Sequence, residues 1–518
     1  MLLASRTTGI GIGRLAFWAL WTVFGAGACL GEAGDGGLLV GAAEGAVAGV
    51  GQVVVAGEVG GGVAEAGGVS LVFCVPFVLM LGCIAVFPLL GPVSSGWWHI
   101  NRNKLAVSLF LGVLTMFYYL WRETPFHGHT GTAAVAMIIE HALLVEYIPF
   151  VVLLFSLYTI SGGIKASNDI RALPRVNVVI LGVGAVLSNL IGTTGASMLL
   201  IRPLLQINRQ RSRRVHTVVF FIFVVSNCGG CLTPVADPPL YLGFIKGVPF
   251  FWTLETLWPM WLVTVGSLLG VYYVWDRLEY GRERRSALAA DSRSFVPFKL
   301  MGWHNLGFLA LLAGIVASVD PDHALPLVGV RPPIYVRELL MLGVVWLSWV
   351  TTRRGIRRSN DFSFGAIGEV ACVFLGIFLT MQVPLEWLAA HGAGLGVEQP
   401  WQYFWTAGLL SSFLDNAPTY LVFLALGEAG AASGEVGRAG LVMLGDGRSM
   451  VDGGVLAAVS VGSVFFGAMT YIGNAPNFMV KSIAEQAGVQ MPGFAKYMGY
   501  SVLVLVPLFA LVTWLFLV

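Results

Sequence analysis

Leu410-Ser411-Ser412-Phe413-Leu414-Asp415-Asn416-Ala417-Pro418 cuts through an apolar run at 402–427. In the first half, Leu187-Ser188-Asn189-Leu190-Ile191-Gly192-Thr193-Thr194-Gly195 cuts through the run at 175–206 in the same way. A second pair of broken passages follows: Thr233-Pro234-Val235-Ala236-Asp237-Pro238-Pro239-Leu240 and Thr470-Tyr471-Ile472-Gly473-Asn474-Ala475-Pro476-Asn477. Laid over one another, Gly192 meets Asp415, Asp237 meets Asn474 and Pro239 meets Pro476. Interrupted apolar segments at corresponding places in two halves point to a substrate site between repeats. The fold class they imply is an all-α polytopic membrane protein of two inverted-topology repeats, each with a re-entrant helical hairpin and a broken transmembrane helix.

Composition agrees. The 518 residues are 57% hydrophobic and only 11% charged, where soluble domains carry about 25% charged residues. A net charge of +2 leaves no electrostatic footprint for nucleic acid. The cysteines at 29, 74, 83, 228, 231 and 372 lie mostly in apolar runs and read as small core residues.

At the N-terminus, Arg6 and Arg14 precede an apolar run from Leu15 to Val23 and then small residues. Residues 1–30 therefore read as a signal peptide or a first anchor helix. Residues 31–70, rich in Gly, Ala and Val, read as a low-complexity spacer. The repeats then occupy 71–295 and 296–518.

A span needs about 20 apolar residues. Such segments lie near 71–91, 104–121, 146–163, 216–249, 255–275, 303–319, 335–351, 364–385, 454–485 and 498–517. The limb from Gly195 to Ile207 reaches only about 20 Å at 1.5 Å per residue, short of a hydrocarbon core about 30 Å thick. The limb from Pro418 to Gly427 is shorter. Both interrupted runs thus read as hairpins that enter and leave on one side. The segments 216–249 and 454–485 are overlong and broken in the middle, as helices are where backbone lines a cavity. Arg-rich loops at 208–214, 282–285 and 353–358 place those ends in the cytoplasm. The two hairpins then come from opposite faces.

Few charges fall inside the predicted membrane region: Arg202, Asp237, Glu369 and Asp415. Such residues are costly, face the interior and mark ion pathways. Asp415, at a hairpin tip beside Asn416 and Pro418, can hold Na⁺ or a proton; it can equally cap the following helix. Asp237 presents the same two readings. Ser188, Asn189, Thr193, Thr194, Thr233, Asn416, Thr470 and Asn474 supply further oxygens, or satisfy backbone groups freed by the breaks. Asn189 and Asp415 are the expected sodium ligands, facing one another between the tips. Glu369 reads as an interfacial carboxylate, Arg202 as snorkelling, and Glu140 and Glu146 as interfacial. Cys228-Gly229-Gly230-Cys231 has redox spacing but no redox context, and reads as loosened, closely packed backbone. The chain has no Walker motif, so no cofactor is expected beyond sodium, as coupling ion or substrate.

At these motifs residues 71–518 resemble the ion transporter superfamily of anion–sodium symporters, citrate–metal transporters, arsenite pumps and sodium/proton antiporters. Ser188-Asn189 is similar to the sodium-site signature of the anion symporters. Asp415-Asn416-Ala417-Pro418 and Thr233-Pro234-Val235-Ala236-Asp237 look more like the antiporters, although those usually carry an acid in the first tip, where this chain has Gly192. The nearest likeness is to bacterial citrate transporters or sodium/proton antiporters of the inner (cell) membrane. The resemblance implies a homodimer with a scaffold and a mobile part that moves like an elevator. It also implies partners limited to the lipid bilayer, small ions and carboxylates.

The first reading is a non-enzymatic secondary transporter exchanging sodium for protons, with Asp415 and Asp237 binding both in competition. The alternative is sodium-coupled symport of citrate or a dicarboxylate. A scaffold or receptor has no need of polar breaks at the midplane, and no nucleophile–base pair suggests a hydrolase.

Overall fold

The computed structural model describes residues 70–87, 96–98, 100–126, 128–284, 296–319, 332–333, 335–360, 362–432, 440–445 and 449–518. The expected leader at 1–30 and nearly all of the spacer at 31–70 lie outside them. The chain divides into residues 1–64 with 363–366, of which only 363–366 are described, and residues 65–362 with 367–518. Apart from the first two residues of one helix, Gly365 and Ala366, all that follows concerns the second unit.

The first half comprises α1 (Val75–Val86), α2 (Asn101–Trp121), α3 (Gly131–Glu140) and α4 (Ile148–Ser161). A π turn, His141–Tyr147, joins α3 to α4 without a break. Strand β1 (Lys165–Asp169) leads to α5 (Pro174–Ile191) and α6 (Thr193–Ile207). Helix α7 (Val215–Phe223) ends in a second π turn, Val224–Cys228, and α8 (Pro238–Ile245) and α9 (Trp252–Gly281) follow. The second half holds β2 (Val296–Met301), α10 (His304–Ser318), α11 (Val336–Thr351), α12 (Arg354–Ser359), α13 (Gly365–Thr380) and α14 (Gln382–His391). It ends with α15 (Pro400–Ser411), α16 (Asn416–Ala432), β3 (Leu441–Leu444), β4 (Ser449–Asp452), α17 (Gly453–Phe466), α18 (Ala475–Gln486) and α19 (Phe494–Phe516).

The chain is an all-α membrane protein with little sheet. By length and composition, α2, the continuous helix Gly131–Ser161, α5, α9 and α19 can each cross a bilayer. The pair α13–α14, bent by 41°, forms a sixth span if taken together. Expected spans at 303–319 and 335–351 are shorter, at 15 and 16 residues. The two β-ribbons, β1 with β2 and β3 with β4, are antiparallel and lie outside the predicted spans.

Local chemistry sets the boundaries. Proline opens α5, α8, α15 and α18 in the first turn, where its missing N–H would be unbonded anyway. Gln399 and Gln402 form a capping box on α15, and the Asp452 carboxylate caps α17 by accepting from the Val455 N–H at 2.9 Å.

Helix α5 folds back on α6 through a single residue, Gly192, at φ +77°, which side-chain-bearing residues rarely adopt. The hinge is thus one residue, narrower than the Gly192–Gly195 break expected from sequence. The far ends of the two limbs meet, with Asn177 and Asn208 exchanging side-chain hydrogen bonds at 3.0 and 2.9 Å. Helices α15 and α16 pair likewise. Helix α16 runs 17 residues to Ala432, well past the Gly427 expected from sequence. Pro418 falls in its first turn and so does not break it.

Packing is crossed between the halves. Helix α8 of the first half lies on α16 of the second, and α18 of the second lies on α6 of the first. An aromatic cluster fills the space beneath α15 and α17: Phe466 lies 4.5 Å from Phe509 and 5.3 Å from Phe404, ring centre to ring centre. Two ion pairs fasten α2 to the bent pair. Lys104, fully buried, bonds Glu369 on α13, and Arg122 makes two bonds of 2.7 and 2.8 Å to Glu386 on α14. Glu369 is half exposed. Glu146 corrects its expectation: the π turn buries it, and it pairs with Lys246 at the end of α8.

Candidate functional site

The two breaks meet at Asp237. This residue precedes α8 in extended backbone and is 2% exposed. Three neutral donors hold its carboxylate. Thr193 Oγ1, from the first tip, donates to Oδ1 at 2.8 Å. Asn416 Nδ2, from the second tip, donates to Oδ2 at 2.5 Å, and Asn474 Nδ2, from the second break, donates to Oδ1 at 3.2 Å. Residues scattered over most of the chain thus converge on one buried acid, and all three partners are buried as well. Among the described residues no lysine or arginine hydrogen-bonds this carboxylate. Asn416 Oδ1 is buried without a hydrogen-bond partner. An orphaned buried acceptor carries a desolvation cost of about 1–3 kcal/mol. Beside a carboxylate, it is an open ligand position for a cation or a proton carrier.

Asp415 sits differently. It is half-buried at the start of α16, where its Oδ1 accepts from the Ala417 N–H at 3.4 Å and its carbonyl accepts from Thr419 Oγ1 at 3.1 Å. That is the capping role its sequence position allowed. Its charge still bears on Asp237. No group of three or more His, Cys, Asp or Glu side chains suited to a metal ion occurs among the described residues.

Asn189 was expected to face Asp415. Its side chain is instead committed within the first half: Nδ2 donates to the carbonyls of Ala185 (2.9 Å) and Gly229 (2.6 Å), and Oδ1 accepts from the Leu232 N–H at 2.8 Å. Ser188 Oγ donates to Val225 O at 2.7 Å, tying α5 to the π turn. Thr233 Oγ1 donates to Asn189 O at 2.6 Å, and its counterpart Thr470 donates to Ser412 O. Ser411 Oγ likewise bonds Ser463 O at 2.7 Å. Matching positions therefore make matching bonds in both halves. Along α7 and α17 the match slips by one residue, because the π turn at Val224–Cys228 inserts one residue into the first half. Thr194 is half-buried on the first turn of α6.

Sequence reasoning passed over Asn227. Its Nδ2 donates to Asn477 Oδ1 at 2.7 Å, and its Oδ1 accepts from Asn474 Nδ2 at 3.2 Å, joining the π turn to the second break. The signal was present: an amide in a run of Val and Phe needs a buried partner. Cys228 and Cys231 are free, buried thiols, and Gly229 packs so closely that a Cβ there would lie 2.7 Å from Ala185 Cα.

Helices long and apolar enough to cross a bilayer make this a multi-pass membrane protein, and its two breaks meet at a buried acid. The chain belongs to the family described as "Putative citrate transport", whose model matches residues 66–517. No curated protein gives a significant match.

Proposed function

We propose that this protein is an ion-gradient-driven secondary transporter in which Asp237 is the shared station for Na⁺ and H⁺. The observation that carries this is a buried carboxylate that, among the described residues, is bound only by Thr193, Asn416 and Asn474, next to the unpartnered Asn416 Oδ1. Neutral donors leave the charge in place for a small cation to neutralise. Citrate offers two or three negative charges, and none of the residues bonded to Asp237 offers a positive one. Sodium–proton exchange is therefore the first reading, with Asp237 at its centre and Asp415 adding field from the helix start.

In this reading the paired bonds at Thr233 and Thr470, and at Ser188 and Ser411, are traces of two inverted repeats. Helices α5–α6 and α15–α16 act as re-entrant hairpins from opposite faces of the bacterial inner membrane. A homodimer with an elevator-like mobile part follows from the same family resemblance.

The family's description favours a second reading: sodium-coupled carboxylate symport, with a bound cation bridging Asp237 and the substrate. Protein reconstituted in vesicles separates the two. Exchange predicts that Na⁺ alkalinises the acid-loaded lumen without citrate, and that Asp237→Asn abolishes this. Symport predicts Na⁺-dependent uptake of labelled citrate. Alkalinisation at the native rate by a folded Asp237→Asn protein would refute the assignment of Asp237.

A further inference from the structure

Away from the transport site, the end of α11 and the short α12 carry four arginines. Arg353, Arg354 and Arg358 are exposed, whereas Arg357 is buried. Among the described residues no carboxylate pairs with any of them. Arg357 is held by neutral groups: its Nη2 donates to Ser348 Oγ at 2.9 Å, to Ser348 O at 3.3 Å and to Thr159 O at 3.4 Å. Its guanidinium lies 4.6 Å from the Trp349 ring centre, and its Nε is buried with no partner. Burial pushes this guanidinium down to about 10, and no acid among the described residues offsets the desolvation.

The last turns of α11 complete the picture. Trp346 is 64% exposed, Val350 63% and Trp349 47%. Exposed tryptophans next to a basic stretch mark the headgroup level of a bilayer. Basic clusters at that level attract anionic lipid.

We propose that α12 and the adjoining end of α11 bind the phosphate headgroup of an anionic phospholipid, with Arg353, Arg354 and Arg358 around the phosphate and Trp346 and Trp349 along the glycerol and upper acyl chain. The buried Arg357 Nε leaves one further donor at this place. A free phosphate would use the arginines alone, whereas a lipid also covers the exposed tryptophans and Val350. The site bears on the rest of the chain through α4. Asn360 donates to the carbonyls of Gly162 (3.0 Å) and Ile164 (2.8 Å), and Arg357 holds Thr159 O. A lipid bound here would brace the segment that leads into β1 and α5.

The test uses the full chain in a neutral detergent, with melting temperature as readout, titrated with dioctanoyl phosphatidylglycerol, dioctanoyl phosphatidylcholine or inorganic phosphate. The expected result is a saturable rise with phosphatidylglycerol only. In the triple variant R353Q/R354Q/R358Q, whose sites are exposed and leave the fold intact, the half-saturating concentration should rise about 100-fold, on the scale of three basic side chains at an anionic surface. Saturation of the triple variant at the native concentration, or an equal rise with phosphatidylcholine or phosphate, would overturn the proposal.

Discussion

At Asp415 one side chain has two tasks, and substitution can separate them. Asparagine caps a helix as well as aspartate does, whereas alanine loses about 1 kcal/mol. Asp415→Asn should therefore melt at the native temperature and Asp415→Ala below it. If the charge also helps to hold a cation, both should bind Na⁺ about tenfold more weakly, equal to about 1.4 kcal/mol. Native Na⁺ affinity in the asparagine variant would make Asp415 a cap alone. Asp237 offers no such separation, since its carboxylate accepts bonds from both halves. Lys104 and Glu369 make a second residue-scale case. Removing the acid strands a fully buried ammonium, whereas Lys104→Met replaces the charge with apolar volume. Glu369→Gln should therefore lower the melting temperature more than Lys104→Met, because an uncompensated buried charge costs about 3–5 kcal/mol. A larger drop for the methionine variant would count against the pair as drawn.

At the scale of elements, the reversal between α5 and α6 rests on Gly192. Any side chain there meets a positive-φ, extended-ψ backbone that is essentially glycine-only, at a cost of about 1–3 kcal/mol, and a Cβ would also touch the Val235 carbonyl at 3.4 Å. Gly192→Ala should lower the melting temperature and slow transport together, since Thr193, the next residue, holds Asp237. A variant that transports normally would show that the tip can shift without moving Thr193. The breaks were legible because glycine and proline interrupt long apolar runs, and lengths fell out of 1.5 Å per residue. The extent of α16 was not, because Gly427 to Ala432 mixes two glycines and three alanines with Glu428, a composition equally suited to loop or helix. The π turns left no periodic signature either, so Glu146 read as interfacial although the turn carries it inward to Lys246. That Asp237 would meet Asn416 and Asn474 could not be read from either segment alone. The meeting depends on α8 crossing onto α16 and α18 onto α6.

For the whole molecule, ligand binding and folding are linked. An ion that binds only the native state stabilises it by RT ln(1 + [L]/Kd), or about 2.7 kcal/mol at a hundred times Kd. If Na⁺ and H⁺ share Asp237, replacing choline with Na⁺ should raise the melting temperature, and more so at pH 8 than at pH 6. At the lower pH the proton occupies the carboxylate first. Asp237→Asn should show no rise at either pH. A rise independent of pH would mean that sodium binds elsewhere. The crossed packing makes this readout global, because a cation seated between Thr193, Asn416 and Asn474 touches pieces of both halves at once.

The second break carries Asn474 where the first carries Asp237. If Asp237 alone trades one sodium for one proton, with Asp415 contributing only its fixed charge, the cargo's total charge stays the same on every trip. Such a cycle generates no current. Clamping the vesicle interior negative or positive with valinomycin and potassium should leave the exchange rate unaltered, and only the difference in acidity and sodium between the two sides would set its direction.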